Sequence, residues 1–433
     1  MIDVVVVGAG LAGLTCAQDL TRSGLECTVV EAADGVGGRV RTDLGDGYRL
    51  DRGFQILLTA YPQVRSRLDL DALDVAPFEP GAHVWTGDRF HRLADPLRRP
   101  TLALQTLGAP IGGLADKLRL ARLVADVGLR SVPDLLRRPD MSTDERLRAA
   151  GFSDTMIERF WRPLFSGIQL DPDLEVSRRR FDAILRMLAV GGTGVPRSGM
   201  GAIPDQLAAS LPDGTIRLDS PVRELATTRT HTGVILDGGE RIDARAVVVA
   251  TDGPTAHRLL GSRVPDPGSR AAAACWFATA SAPRSGPVLM LDGAASGPAR
   301  NVMVMTEAAP TYAPPGRSLI VAAVPGAEAL DPNLTDRVRA QLARWFGSVT
   351  TDWDHLRTDV IPHGQPLQTP PFAPKRRVAL GDGVFVCGDH RDTASIQGAM
   401  FSGERTAAAV LQSRRVQISG PEREAPPGRS NPR

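Results

Sequence analysis

The sequence predicts an α/β fold that opens on a βαβ nucleotide-binding unit, and three observations carry that expectation. Ile2 to Val7 is a β-branched run without polar alternation, the pattern of a buried parallel strand. Gly8, Gly10 and Gly13 follow in GxGxxG spacing and lead into Leu11 to Arg22, where Leu11, Leu14, Ala17 and Leu20 recur at helical period before Ser23-Gly24 ends the run. A second apolar strand, Cys27 to Val30, then closes on Glu31. Strand, turn, helix, strand and terminal acid are in Rossmann register. Gly8 permits the tight turn, and Gly10 lets backbone N–H groups of the helix start, with Leu11 and Ala12, approach a pyrophosphate. Gly13 lets helix pack on strand, and the helix N-terminus adds partial positive charge. Glu31, followed by Ala32, would accept hydrogen bonds from an adenosine ribose and repel a 2′-phosphate, which disfavours NADP.

The next stretch departs from a plain NAD unit. Gly37 and Gly38 precede Arg39, and such a loop can fold back under the pyrophosphate with the guanidinium adding a charge-assisted contact. GxGxxG, a terminal Glu and then GGR together resemble the flavin-dependent amine oxidase and phytoene desaturase superfamily. That resemblance implies FAD. It extends to "GVFVCGDHRDTASIQGAMFSGERTAAAVL", Gly383 to Leu411, where Gly388 and Asp389 correspond to the Gly-Asp that holds the ribityl or pyrophosphate. The helix opening around Ile396, Gln397 and Ala399 then aims its N-terminus at the flavin's pyrimidine edge, and small Gly398, Ala399 and Gly403 allow close approach. Between these motifs, Val222 to Thr228, Gly233 to Leu236 and Arg241 to Asp243 read as a meander turned at Gly238-Gly239, with Ala246 to Ala250 a separate buried strand. By resemblance Val222 contacts adenine through its backbone, and Thr251 closes the strand that returns to the central sheet.

The expected organisation is a discontinuous FAD-binding domain, residues 1–74, 199–254 and 371–412, of Rossmann type. Residues 75–198 form a helical insertion or lid, 256–369 an interleaved mixed α+β substrate domain, and 413–433 a disordered Arg/Pro/Gly/Ser-rich tail. Helical period marks Ile111 to Val127 and Leu334 to Phe346, and apolar strands mark Pro287 to Leu291, Val302 to Met305 and Leu319 to Val324. Within the insertion Arg98, Arg99, Lys117, Arg119, Arg122, Arg130, Arg137 and Arg138 make a basic amphipathic stretch. It reads first as a solvated face over a cleft and second as a weak peripheral contact with anionic lipid.

Bulk composition narrows the partners. With 51 basic and 49 acidic side chains the net charge of +2 gives no nucleic-acid signature. Cys16, Cys27, Cys275 and Cys387 lack CxxC spacing, so neither zinc site nor disulfide framework is expected. No apolar run reaches the about 18 residues of a membrane helix, and the opening run lacks a signal peptide's basic start, so a cytoplasmic location is expected.

For the chemistry, Arg52-Gly53-Phe54-Gln55, Arg300-Asn301 and His390 to Gln397 should line the flavin cleft by resemblance. His390, with Asp392, is the candidate proton acceptor, Arg52 a residue that orients a carboxylate or pairs with Asp51, and Gln55 a further active-site candidate. Amine oxidases of the superfamily carry a mid-chain lysine linked through water to the flavin, whereas here no lysine lies between Lys117 and Lys375. Thr393-Ala394-Ser395-Ile396 also lacks the aromatic residues of an amine cage. Both departures, with "GFQILLTAYPQV" at Gly53 to Val64, resemble the desaturase-like branch. The implied activity is dehydrogenation or isomerisation of a small hydrophobic substrate with hydride passing to flavin N5. No second GxGxxG follows a strand, so electrons would leave to oxygen or a quinone. Two alternatives stand: an amine oxidase producing hydrogen peroxide, and a non-redox FAD-binding isomerase or carrier.

Overall fold

Val4 to Val7 have no polar side chain to turn toward water, so the strand Ile2–Val7 is covered on both faces and lies inside a sheet. The structure is a computed structural model and describes residues 1–94, 108–227 and 232–418. Ile2–Val7 pairs in parallel with Cys27–Val30 on one side and Arg241–Val249 on the other. The sheet is eight-stranded, in the order Ile216–Arg217, Cys27–Val30, Ile2–Val7, Arg241–Val249, Thr232–Leu236, Val222–Leu225. Val384–Val386 adds to Arg241–Val249, and Ala379–Gly381 to Val384–Val386.

One expectation is corrected here. The third meander strand and the buried strand after it are a single strand, Arg241–Val249. Its residues alternate exposed and buried through Arg245, opposite the two-stranded meander, and are then continuously buried where Val247 to Val249 pair in parallel with Val384 to Val386. The change of period reads as two strands because the partner changes, from a half-solvated antiparallel edge to a sheet covered on both faces. The first meander strand ends at Leu225, and the expected extension to Thr228 runs onto a residue outside the described ones.

A second, seven-stranded sheet runs Asp354–Pro366, Ser269–Thr279, Ser318–Pro325, Asn301–Val304, Leu289–Asp292, Gly81–Trp85, Phe90–Ala94. Ser269–Thr279 is rich in alanine, a strong helix former and weak strand former, so local propensity hides it. Strands on both sides, Ser318–Pro325 and Asp354–Pro366, override that preference. The hairpin Gly81–Ala94 belongs to this sheet through Leu289–Asp292, so residues 75–198 are not helical throughout. The helices follow, chiefly Leu114–Gly128, Arg162–Gln169 and Arg178–Val190. The C-terminal helix Ile396–Ile418 continues past the expected end at Gln412 into the segment read as disordered. Residues 419–433 lie outside the described residues, as do Arg98 and Arg99. That helix packs on Leu11–Arg22 at Gly403, where any Cβ would run into the carbonyl of Ala12. Gly403 thus serves helix contact rather than cofactor approach, and Gly398 serves the tight turn against the Thr393 carbonyl. No helix among the described residues is long and apolar enough to cross a membrane.

Candidate functional site

Where strand Ile2–Val7 ends, the chain must turn into the helix within three residues, and the backbone there is set by glycine. Gly8 sits at φ +107°, which favours glycine, and a Cβ on it would lie 3.0 Å from the carbonyl oxygen of Ala250. A Cβ on Gly13 would run into the carbonyl of Gly8. Gly10 differs: it has an ordinary φ of −73°, and a Cβ there would meet nothing within 4 Å. It faces open space, and that space is a cavity of about 1230 Å³.

Gly37 N–H donates to the carbonyl of Ala9 at 2.8 Å, which folds the Gly37-Gly38-Arg39 loop back onto the glycine turn as the sequence implied. Glu31 anchors the same turn, accepting from Ala9 N–H at 2.7 Å and Ala33 N–H at 2.9 Å. Arg39 reaches from the loop to Asp389 at 2.8 Å and donates to the Gly364 carbonyl at 2.6 Å. Burial pushes the Asp389 carboxyl upward, but the Arg39 guanidinium outweighs it and holds the group below the usual carboxylate range. An ionised acceptor and a cation therefore face one wall of the cavity together.

The cavity wall includes Gly8, Gly10, Leu11, Ala12, Glu31, Ala32, Gly37, Gly38, Arg39, Arg52, Gly53, Phe54, Gln55, Val222, Thr251, Gly388, Asp389, Ile396 and Ala399. Residues from both ends of the chain and its middle thus meet at one site. At its far end the wall turns apolar, with Leu118, Leu120 and Val124 of the helix Leu114–Gly128, and Trp161, Leu164 and Leu188.

Several expected site residues lie elsewhere. Gly13 lies behind the turn, as its packing role requires. The Gln397 side chain accepts from Gln63 N–H at 2.8 Å and ties the C-terminal helix to the helix Pro62–Arg67. His390 is only 2% exposed and is not on the cavity wall; its imidazole packs behind Gly388, whose φ of +142° leaves no room for a Cβ. Asp392, the companion proton acceptor, is also off the wall and pairs with Arg405 at 3.2 Å. Of the tight turn Asp389–Arg391 and the residue after it, only Asp389 reaches the cavity wall; His390, Arg391 and Asp392 are buried off it. Arg52 is on the wall but is already matched by a bidentate contact to Asp43 at 3.0 Å, not by Asp51. Asp51 is buried, accepting from Thr42, Met200 N–H and Tyr312. Gln55 donates to the Arg39 carbonyl at 2.6 Å, and its own carbonyl oxygen is buried without a protein partner among the described residues. Of the Arg300-Asn301 pair only Asn301 reaches the wall, held by Pro163.

Sequence reasoning missed Tyr61, Trp161, Arg180 and Gln365 on the wall, and it missed that Lys117 faces the cavity, its ammonium donating to the Ala109 carbonyl at 3.1 Å. Helical period marks Leu118, Leu120 and Val124 of the apolar wall; nothing local marks Arg180. No group of three or more His, Cys, Asp or Glu side chains among the described residues could hold a metal ion.

Neither ring nitrogen of His390 has a partner among the described residues, and burial lowers its pKa to about 4. A base whose folded pKa lies below its unfolded value of about 6.5 loses stability as pH falls through that window. Wild type should therefore lose on the order of 3 kcal/mol relative to His390→Gln between about pH 6.5 and pH 4, read from paired denaturant melts. Parallel pH profiles for the two proteins would contradict this.

The glycine turn, the folded-back arginine loop, Glu31 at the strand end and the long apolar extension suit an adenine dinucleotide with a second, redox-active ring system. A family model described as flavin containing amine oxidoreductase matches residues 11–411. The phytoene dehydrogenase of Streptomyces griseus is 29% identical over 283 residues, covering 60% of this chain and 56% of that enzyme. The chain thus spans little more than half the length of the curated relatives it matches. Among solved structures, a putrescine oxidase bound to putrescine has TM-score 0.68 at 19% identity, covering 95% of this chain and 99% of that one. Reduced UDP-galactopyranose mutase has 0.69 at 14%, covering 98% of each. These two likenesses establish the shared fold.

Proposed function

Because the chain belongs to the flavin containing amine oxidoreductase family, we propose that it is an FAD-dependent oxidoreductase that dehydrogenates or isomerises a long, predominantly apolar substrate. The observation that carries this reading is the continuity of one cavity from the phosphate cradle at Gly10 to the apolar wall at Leu118, Val124 and Leu188. Gly10, Leu11 and Ala12 would present backbone N–H groups to the pyrophosphate, Glu31 and Val222 would hold the adenosine end, and Asp389 would accept from the ribityl chain beside Arg39. A bound FAD would supply the two-electron acceptor for the substrate's hydrogen. Ala323, Val324 and Ile361 of the second sheet, with Ile168, exclude water and press an apolar chain against the reacting position. Gln55 acts as a positioning residue, clamping the Arg39 loop and offering its unpartnered carbonyl to the cofactor or substrate.

The likeness to the phytoene dehydrogenase of Streptomyces griseus and the zeta-carotene-forming phytoene desaturase of Myxococcus xanthus favours the apolar class. Oxygen or a quinone is the electron acceptor in this reading. Amine oxidation with peroxide release is the second reading, favoured by the fold shared with putrescine oxidase. The test is anaerobic reduction of the yellow holoprotein followed by air: slow reoxidation without stoichiometric peroxide is the expected result, and rapid reoxidation with peroxide transfers the assignment to an oxidase. Turnover with no net use of acceptor would transfer it to an isomerase.

A peripheral contact with anionic membrane belongs to the same reading. Leu114 and Leu118 line the cavity yet are 63% and 65% exposed, with Arg119 and Arg122 exposed on the same helix. Cosedimentation with anionic but not neutral liposomes at low salt is expected; no binding to either removes the contact.

A further inference from the structure

We propose that Arg180, flanked by Tyr61 and Gln365, anchors a carboxylate at one end of the bound substrate, so that the substrate is an amphipathic acid rather than a plain hydrocarbon. This rests on the reading that the cavity takes an apolar substrate beside FAD.

Helix Arg178–Val190 begins with three successive arginines, and the helical turn sends them in three directions. Arg178 pairs with Asp182 at 3.2 Å. Arg179 donates to the carbonyls of Arg138 and Phe372 at 2.8 and 2.6 Å. Arg180 turns inward onto the cavity wall and is 2% exposed. One of its terminal nitrogens donates to Gln365 Oε1 at 3.0 Å and to the Ala394 carbonyl at 2.8 Å. Its Nε and other terminal nitrogen have no partner among the described residues, and no described carboxylate lies within ion-pair distance. The nearest acids that act on it, Asp389 and Asp171, are each held by another arginine, Arg39 at 2.8 Å and Arg270 at 2.9 Å.

A guanidinium buried without a counter-charge costs several kcal/mol, as an order of magnitude, unless something compensates it. Burial pulls its pKa to about 10, which still leaves it protonated at neutral pH. The neighbouring groups cannot supply the missing charge: Gln365 is neutral and spends its amide on the Ile168 carbonyl at 2.9 Å, and burial pushes the Tyr61 hydroxyl to about 12, so it remains an O–H donor. Arg180 thus has unpartnered donors, among the described residues, at a cavity whose adjoining wall is Ile184, Leu185 and Leu188, while the neighbouring Tyr61 hydroxyl bonds to Ser395. The planar fork of arginine fits two carboxylate oxygens, whereas a hydrocarbon would leave it unpaired. Its contact with Ala394, immediately before Ser395 and Ile396, puts it at the start of the C-terminal helix, within electrostatic reach of Asp389.

The test compares all-trans-retinoate and all-trans-retinol, which share a polyene and differ in the head group, on the FAD-loaded full chain near neutral pH. Quenching of tryptophan fluorescence reports binding. Retinoate is expected to bind at least about tenfold tighter. Arg180→Met should bring the two within about twofold, with flavin spectrum and reduction potential unchanged, and Arg180→Lys should retain part of the preference. The comparison on unaltered protein holds even if the methionine variant does not accumulate. Equal binding of both probes to wild type, or a preference that survives Arg180→Met, overturns the assignment while leaving the apolar-substrate reading intact. A shifted flavin potential with unchanged preference also overturns it, because the guanidinium would then serve the cofactor. Binding of neither probe by FAD-containing protein overturns both.

Discussion

Gly10→Val is expected to give a folded protein that purifies without flavin, whereas Gly13→Val is expected not to fold. The contrast follows from what each Cβ meets. Gly10 has φ −73° and ψ 175°, values open to any residue, and its Cβ would project into the cavity with nothing within 4 Å. Valine there leaves the polypeptide unstrained and occupies the space required by a pyrophosphate. At Gly13 a Cβ would strike the carbonyl of Gly8 and lie 3.1 Å from Ala250 Cβ, so helix and strand must separate. Since overpacking against backbone in a full core costs about 3 kcal/mol or more, a marginally stable domain has little left. Flavin absorbance per mole of protein and a thermal melt read both outcomes. A Gly10→Val protein as yellow as wild type would remove the phosphate cradle from this turn.

Removing Arg39 is the second large effect. In Arg39→Met the Asp389 carboxylate, almost fully buried, loses its only ion pair among the described residues. Breaking a buried pair from one side costs about 3–5 kcal/mol. Because Arg39 is itself about a third exposed into the cavity, the lower end of that range applies. Asp389→Asn relieves the stranded charge, so the double variant should be more stable than Arg39→Met by at least about 1 kcal/mol, a coupling that independent sites do not show. FAD affinity behaves differently: each single variant and the double should bind it weakly, since both groups line the proposed cofactor cavity. Strict additivity in chemical denaturation would mean that the pair carries no structural weight.

How much was legible in advance varies along the chain. The glycine turn, the helix Leu11–Arg22, the strand ending at Glu31 and the Gly37-Gly38-Arg39 loop are local: each is written within a few residues by propensity, period and glycine placement. The part of the cavity wall around that turn was legible for the same reason. By contrast, Ser269–Thr279 reads as helix former and becomes a central strand only because two partners flank it. His390 and Asp389 are adjacent in sequence and look equally suited to the site, yet a short turn sends one into the cavity and the other behind it.

The sequence alone determined the first βαβ unit and its glycine turn, because backbone reach and N–H presentation at a turn depend on residues in direct succession. It also placed the chain with the flavin-dependent amine oxidase and phytoene desaturase superfamily, through motifs at its two ends. Only the tertiary structure decided which of three consecutive arginines is buried in the cavity, which residues of the helices Leu114–Gly128 and Arg178–Val190 line its apolar part, and which acid each cation meets. Those outcomes depend on surfaces brought together from more than a hundred residues apart, as in Arg180 with Gln365 and Arg39 with Asp389. Burial and charge pairing are properties of the assembled interior, and no window of sequence contains them.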